Sequence, residues 1–101
     1  KGDLDGALQD YDEAIRLIAD NAANFYYRGK ARYDKDDLDG ALQDYDEAIR
    51  LKPDYADAYI DRSMARHKKG DSQGMREDLL QACELNPDFA ANLQIELDRI
   101  K

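Results

Sequence analysis

Residues 3–17 read DLDGALQDYDEAIRL, and residues 37–51 repeat them letter for letter, thirty-four positions on. Residues 71–85, DSQGMREDLLQACEL, give a weaker third copy at the same interval. Equal intervals of this size describe supersecondary units stacked in a row, each without a core until a neighbour covers its apolar side. Within the repeated stretch, Leu4, Ala7, Leu8, Tyr11, Ala14, Ile15 and Ile18 fall at helical spacing and make one broad apolar face. Asp3 stands as an N-cap, and Asp5 meets the positive end of the helix dipole. The face is wide enough for two neighbours, and one follows in the chain. The other is expected to have been cut away or to be supplied by another molecule.

Outward from this stretch, the spacing predicts six helices, over 4–18, 24–35, 38–51, 56–69, 72–85 and 89–100. Pro53 stops the third, Gly70 the fourth, and Asn86 with Pro87 the fifth. Leu93, Leu97 and Ile100 stay in register along the sixth. No segment alternates with a period of two, and links of two to five residues suit antiparallel neighbours. The expectation is an all-α fold of helix-turn-helix hairpins stacked side by side. Ala19 stands where later units carry Pro53 and Pro87, so fusion of the first two helices into one rod is an open alternative. Asn21 could instead end a helix in the left-handed conformation.

A chain of 101 residues is one small domain. It opens on Lys1 in mid-repeat, which reads as an excised fragment. The net charge of −8 excludes the basic footprint of a nucleic-acid binder and leaves a mild preference for basic partners. No apolar run is long enough to span a bilayer, so the piece reads as soluble with no membrane insertion of its own. A single cysteine, Cys83, cannot form an internal disulfide framework. The compartment is left unassigned, with cytoplasm as the default.

These features resemble the tetratricopeptide repeat, a 34-residue helical hairpin. The matching residues are Phe25, Gly29, Ala31, Ala41, Tyr45, Ala48, Leu51 and Pro53 in a complete unit, then Tyr59, Ala65, Leu79, Ala82, Leu85 and Pro87 in the next. Ala7, Tyr11, Ala14 and Leu17 match a second helix alone, and Leu93 a first helix alone. The resemblance implies a right-handed α-solenoid divided at 1–21 (second helix of a truncated repeat), 22–55, 56–89 and 90–101 (a capping-type helix). Small residues at Gly29, Ala31, Ala41 and Ala48 would let two helices approach closely, while Phe25 and Tyr45 fill the space between hairpins. Two departures stand out. Arg28 and Arg62 occupy the usual leucine slot, and Arg32 and Arg66 the usual tyrosine slot. Asp10, Asp44 and Asp78 recur at one place in the three second helices. Arg28 and Arg62 are expected to lay their stems on apolar surface and pair with these aspartates; the alternative is solvated surface charge.

The resemblance implies a scaffold that binds a protein or peptide in a concave groove lined by first helices. The lining would be Tyr26, Lys30 and Tyr33, then Asp57, Ile60, Asp61, Met64 and His67, then Gln94 with Asp98. Asp57 and Asp61 would select a basic group. The subclass of these repeats that clamps a C-terminal carboxylate is not matched, since Tyr26, Lys30, Asp61, Ala91 and Ile95 occupy its Lys, Asn and Arg slots. A second reading is self-assembly, in which the last helix of one copy docks on the first helix of the next and builds head-to-tail or domain-swapped oligomers.

No cofactor or metal is expected. Residues 35–46 approach a calcium loop through Asp37, Asp39, Gly40 and Asp46, but Lys35 takes the place of the first carboxylate. His67 is the only histidine, which leaves no zinc set. Ser63, Ser72 and Cys83 have no base beside them, so the chain reads as a non-enzyme.

Overall fold

The computed structural model describes residues 3–100, with side chains over residues 3–95. It contains six helices: α1 (Leu4–Leu17), α2 (Ala22–Asp34), α3 (Leu38–Leu51), α4 (Ala56–Lys68), α5 (Ser72–Leu85) and α6 (Pro87–Ile100). No strand occurs among the described residues. The side chains of Leu97, Asp98 and Ile100 lie outside the described set.

Five of the six helix starts have a chemical cause in a capping side chain or a proline; α4, which follows Tyr55, has no side-chain cap. Asp3, Asp37 and Asp71 accept hydrogen bonds from the amides of Gly6, Gly40 and Gly74 at 2.9, 3.0 and 2.8 Å, which satisfies amides that have no partner inside the helix. The Asn21 side chain accepts from Ala23 N at 2.9 Å and Asn24 N at 3.3 Å. Fusion of the first two helices therefore does not occur. Asn21 sits in extended backbone and starts α2 rather than ending α1. α2 begins two residues earlier than the periodicity suggests because this cap precedes its first apolar residue. Likewise Pro87 belongs to α6, since proline at a first helical position gives up an amide that would have no partner anyway. The α2–α3 and α4–α5 turns each hold one left-handed residue, Asp36 (φ 68°) and Gly70 (φ 85°).

α2 packs on α3 and α4 on α5 as hairpins, while α1 lies against α2 and α3 against α4 at the joints. α2 also touches α4, whereas α1, α3 and α5 make no contact with one another. α2 and α4 are thus closer together than α1 and α3 or α3 and α5, and their side is the inner one of a stack measuring 44 × 25 × 23 Å. The fold is an all-α solenoid.

Close approach at the hairpin interfaces rests on side-chain size. Ala41, Ala48, Ala58, Ala65 and Ala82 have no exposed surface. At Gly29, an added Cβ would stand 2.7 Å from Tyr45 Cε1, well inside contact distance. The next hairpin solves the same problem differently. Ser63 takes the glycine's place and Leu79 the tyrosine's, and the Ser63 hydroxyl donates to the Ile60 carbonyl at 2.6 Å.

The arginine–aspartate expectation holds at two of the three aspartates. Arg28 grips Asp44 bidentately through Nε at 2.9 Å and Nη2 at 2.8 Å, and Arg32 Nη1 adds a third bond at 3.2 Å. One repeat on, Arg62 holds Asp78 at 2.9 and 2.7 Å and Arg66 joins at 3.0 Å. Asp44 and Asp78 are each 2% exposed, so these carboxylates depend on the pairing. The hydrogen bonds that Arg28 donates to Asp44 hold its pKa above the ordinary value. For Arg62, burial pulls downward, and the bonds to Asp78 and Asp46 outweigh it. Asp10, the first member of the series, is exposed and pairs with no described residue.

Candidate functional site

The inner side of the stack is formed by α2 and α4, with the start of α6 beside them. A helix repeats every 3.6 residues, so side chains three and four apart project to the same side. Lys30, Tyr33 and Asp34 of α2 thereby meet Ile60, Asp61, Met64, His67 and Lys68 of α4.

Two adjoining hollows result, and they share Tyr33 and Met64. The first, about 180 Å³, carries Lys30, Asp34 and Asp61 at its edge and the Tyr45 ring behind them. The second, about 340 Å³, is almost wholly apolar. Its lining includes Ile60, Met75, Leu79 and Phe89, with His67 and Lys68 also on its border. Of the large exposed apolar side chains, Met64 lies in both hollows, while Leu17, Ile18 and Leu80 are exposed elsewhere. Tyr27, Met64 and Ile95 are 46%, 49% and 56% exposed, one from each first helix.

The charges around the hollows are unequally occupied. Asp61 Oδ2 accepts the Tyr26 hydroxyl at 2.7 Å and lies 3.6 Å from Lys30 Nζ. That ammonium sits 5.5 Å from the centre of the Tyr26 ring. Lys68 Nζ lies 5.0 Å over Tyr33. Asp34 and Asp57 are exposed and pair with no described residue. Burial, then the Asp61 hydrogen bond, pushes the Tyr26 phenol up. Burial likewise raises Tyr45, and raises Tyr55 to about 12.

Of the residues expected to line a groove, Lys30, Tyr33, Ile60, Asp61, Met64 and His67 come together around the two hollows. Asp57 is exposed one helical turn before Asp61, and Gln94 is exposed on α6. Tyr26 departs from the expectation. It is 6% exposed, and its ring lies 4.9 Å from Tyr55 and 6.1 Å from Tyr45. The physical reason is the close approach at the joint, which leaves only its hydroxyl reaching Asp61. Asp34 and Lys68 were not expected at the site, although each stands four residues after a lining residue, Lys30 and Met64. Met75, Leu79 and Phe89 had no sequence signal for this role, because their contribution depends on how α5 and α6 meet α4.

Among the described residues, no group of three or more histidine, cysteine, aspartate or glutamate side chains could hold a metal ion. Asp37, Asp39 and Asp46 of the calcium-like stretch instead cap α3, pair with Lys69 and pair with Arg62. No described helix is long and apolar enough to cross a membrane.

Two family models match the sequence, one described as TPR repeat over residues 29–70 and one as tetratricopeptide repeat over residues 56–89. No curated protein matches the sequence. Several solved structures share the fold. The crystal structure of MamA superposes with a TM-score of 0.81 at 23% identity, over 83% of this chain and 49% of that one. The chain thus spans about half of the MamA structure. The first TPR of Spaghetti (RPAP3), bound to the HSP90 peptide SRMEEVD, gives 0.84 at 22% identity, over 96% and 79%. The Arabidopsis OM64 TPR domain gives 0.81 at 27% identity, over 83% and 69%.

Proposed function

The chain belongs to the tetratricopeptide repeat family, and from that premise we propose that it is a non-catalytic interaction module that captures a peptide of a partner protein on the inner side of α2, α4 and α6. The observation that carries this reading is the pair of joined hollows sharing Tyr33 and Met64, one apolar and one charged at its edge. Exposed apolar residues contribute most to affinity where they sit in a concavity that excludes water.

The chemistry of the ligand follows from what the groove leaves unsatisfied. The apolar hollow accepts one aliphatic or aromatic side chain. Lys30 is already engaged with Asp61, whereas the Asp34 and Asp57 carboxylates are open to a partner. The favoured ligand therefore carries an apolar residue close to a lysine or arginine. An acidic peptide such as the SRMEEVD held by the Spaghetti domain meets Asp61, Ala91 and Ile95 where a carboxylate clamp would need cationic or amide side chains.

Selection of a displayed random-peptide library on the chain tests this. An apolar residue next to a basic one should be enriched. The double variant Met64→Ala with Asp57→Lys changes two exposed side chains, so helicity should persist while affinity falls roughly tenfold or more. Enrichment of acidic C-termini, or affinity unchanged in the double variant, overturns the proposal.

A further inference from the structure

The chain shows twice what it takes to seat an arginine. Arg28 bridges Asp44 and Asp12, with its guanidinium carbon 5.7 Å from the centre of the Phe25 ring. Arg62 bridges Asp78 and Asp46, with the same atom 5.4 Å from the centre of the Tyr59 ring. Each seat consists of two carboxylates and an aromatic face. That set suits a planar guanidinium, which donates along its edges to more than one carboxylate while its face lies on a ring.

The same parts stand in the first hollow with no arginine among them. Its lining holds two aspartates, Asp34 and Asp61, and two tyrosines, Tyr33 and Tyr45. The cation there is Lys30, and it fits loosely. Its ammonium is 3.6 Å from Asp61 Oδ2, its side chain is 48% exposed, and the ring it faces is Tyr26, at 5.5 Å. Asp34 pairs with no described residue. As the last residue of α2, it carries a negative charge at the negative end of the helix dipole, where only an incoming cation relieves it. Asp61 keeps acceptor capacity beside the Tyr26 hydroxyl, since a carboxylate offers about four lone-pair sites. Tyr33 already draws the Lys68 ammonium to 5.0 Å from the centre of its ring.

On the basis of the groove reading above, we propose that the first hollow is the seat of an arginine of the bound peptide and that Lys30 is its placeholder. The incoming guanidinium takes Asp61 from Lys30 and joins it to Asp34, next to the apolar side chain in the second hollow. Lysine is the poorer occupant, because a compact and strongly hydrated ammonium gains less from a ring and two carboxylates, as Lys30 itself does.

The probes are three blocked dipeptides, leucine followed by arginine, by lysine or by the neutral isostere citrulline, titrated into the isotope-labelled chain and followed by amide chemical shifts. Saturable shifts should appear at Tyr33, Asp34, Asp61 and Met64. Affinity should fall in the order arginine, lysine, citrulline, with arginine about tenfold above citrulline. Lys30→Met should raise the affinity of the arginine probe about fivefold and leave the citrulline probe unchanged. Methionine already stands at that place one repeat on, at Met64, so the melting curve should hold. Asp34→Asn should bring the arginine probe down towards citrulline. Saturable binding in the groove with equal affinities for arginine and citrulline overturns the arginine seat and leaves the groove reading standing. Arginine affinity that Lys30→Met leaves unchanged or lowers overturns the placeholder role in the same way. No saturable shift of groove residues with any probe at millimolar concentration overturns both.

Discussion

Gly29→Ala should destabilise the chain, and the same change should stabilise it once Tyr45 is leucine. The added methyl carbon would lie 2.7 and 2.9 Å from two Tyr45 ring atoms and 3.2 Å from Asp44 Cβ. Tyr45 is 1% exposed and cannot swing into solvent. Asp44 is fixed by three hydrogen bonds. The strain therefore falls on the α2–α3 spacing, at about 3 kcal/mol, the upper end for overpacking. Alanine gains about 1 kcal/mol over glycine in a helix interior, which leaves a net loss of about 2 kcal/mol. In a Tyr45→Leu background the two ring contacts are gone, as at Ser63 opposite Leu79 in the following hairpin, and the propensity gain is opposed only by the 3.2 Å approach to Asp44 Cβ. Urea midpoints followed by circular dichroism for the four members of this cycle give the coupling directly. Additive effects within about 0.5 kcal/mol, or a stabilising Gly29→Ala in the native background, would refute the steric account.

The duplicated stretch supplies an internal control. Asp44→Asn should cost about 2–3 kcal/mol, because it leaves Arg28 and Arg32 facing a neutral buried group. Asp10→Asn, at the same place in an identical segment, should stay within about 0.5 kcal/mol; equal effects on the urea midpoint would contradict the burial argument. Stability should also fall in alkali. The Tyr55 phenol is raised on folding from an ordinary 10.0 to about 12, chiefly by burial. A group raised in this way contributes stability that is fully present below its unfolded pKa and lost as pH climbs through the folded one. Melting midpoints should hold up to about pH 10 and drop between 10 and 12, with part of the phenolate absorbance appearing late. A midpoint that is flat through pH 12 would contradict the buried phenols.

Much of this architecture is legible in the letters because a repeat states its geometry several times. The spacing of Leu38, Ala41, Tyr45 and Ala48 defines a face, and Pro53 defines its end. The Arg28–Asp44 and Arg62–Asp78 pairs could be anticipated since both partners recur at the thirty-four-residue period. Helix starts were harder to place, because caps compete with periodicity: Asn21 and Pro87 each extended a helix by two residues. Within the site, Lys30, Tyr33 and Met64 follow from the family resemblance, which implies that first helices line the groove. The burial of Tyr26 does not, because it depends on how closely α2 and α3 meet Tyr55, a distance no local pattern encodes. Asp61 looked like a free selector until the structure gave its charge to the Tyr26 hydroxyl and Lys30.

The shape of the proposed groove follows from the arginines rather than from the groove residues. In a solenoid each unit touches only its neighbours, so the rotation at each joint sets the curvature. Arg28 holds Asp44 in its own hairpin and Asp12 in the unit before, and Arg62 holds Asp78 and Asp46 in the same way. One planar guanidinium thus spans a hairpin and a joint. The two legs differ in setting: the aspartates inside the hairpins have 3% exposed side chains, those across the joints 58% and 60%. Added salt screens an exposed leg and spares a buried one. Hairpins are accordingly the firm units of this chain and joints the compliant ones. The Lys30–Asp61 contact between α2 and α4 lies across such a joint, between the two hollows' lining helices, so whatever loosens the outer arginine legs changes the width of the groove without unfolding the helices that line it.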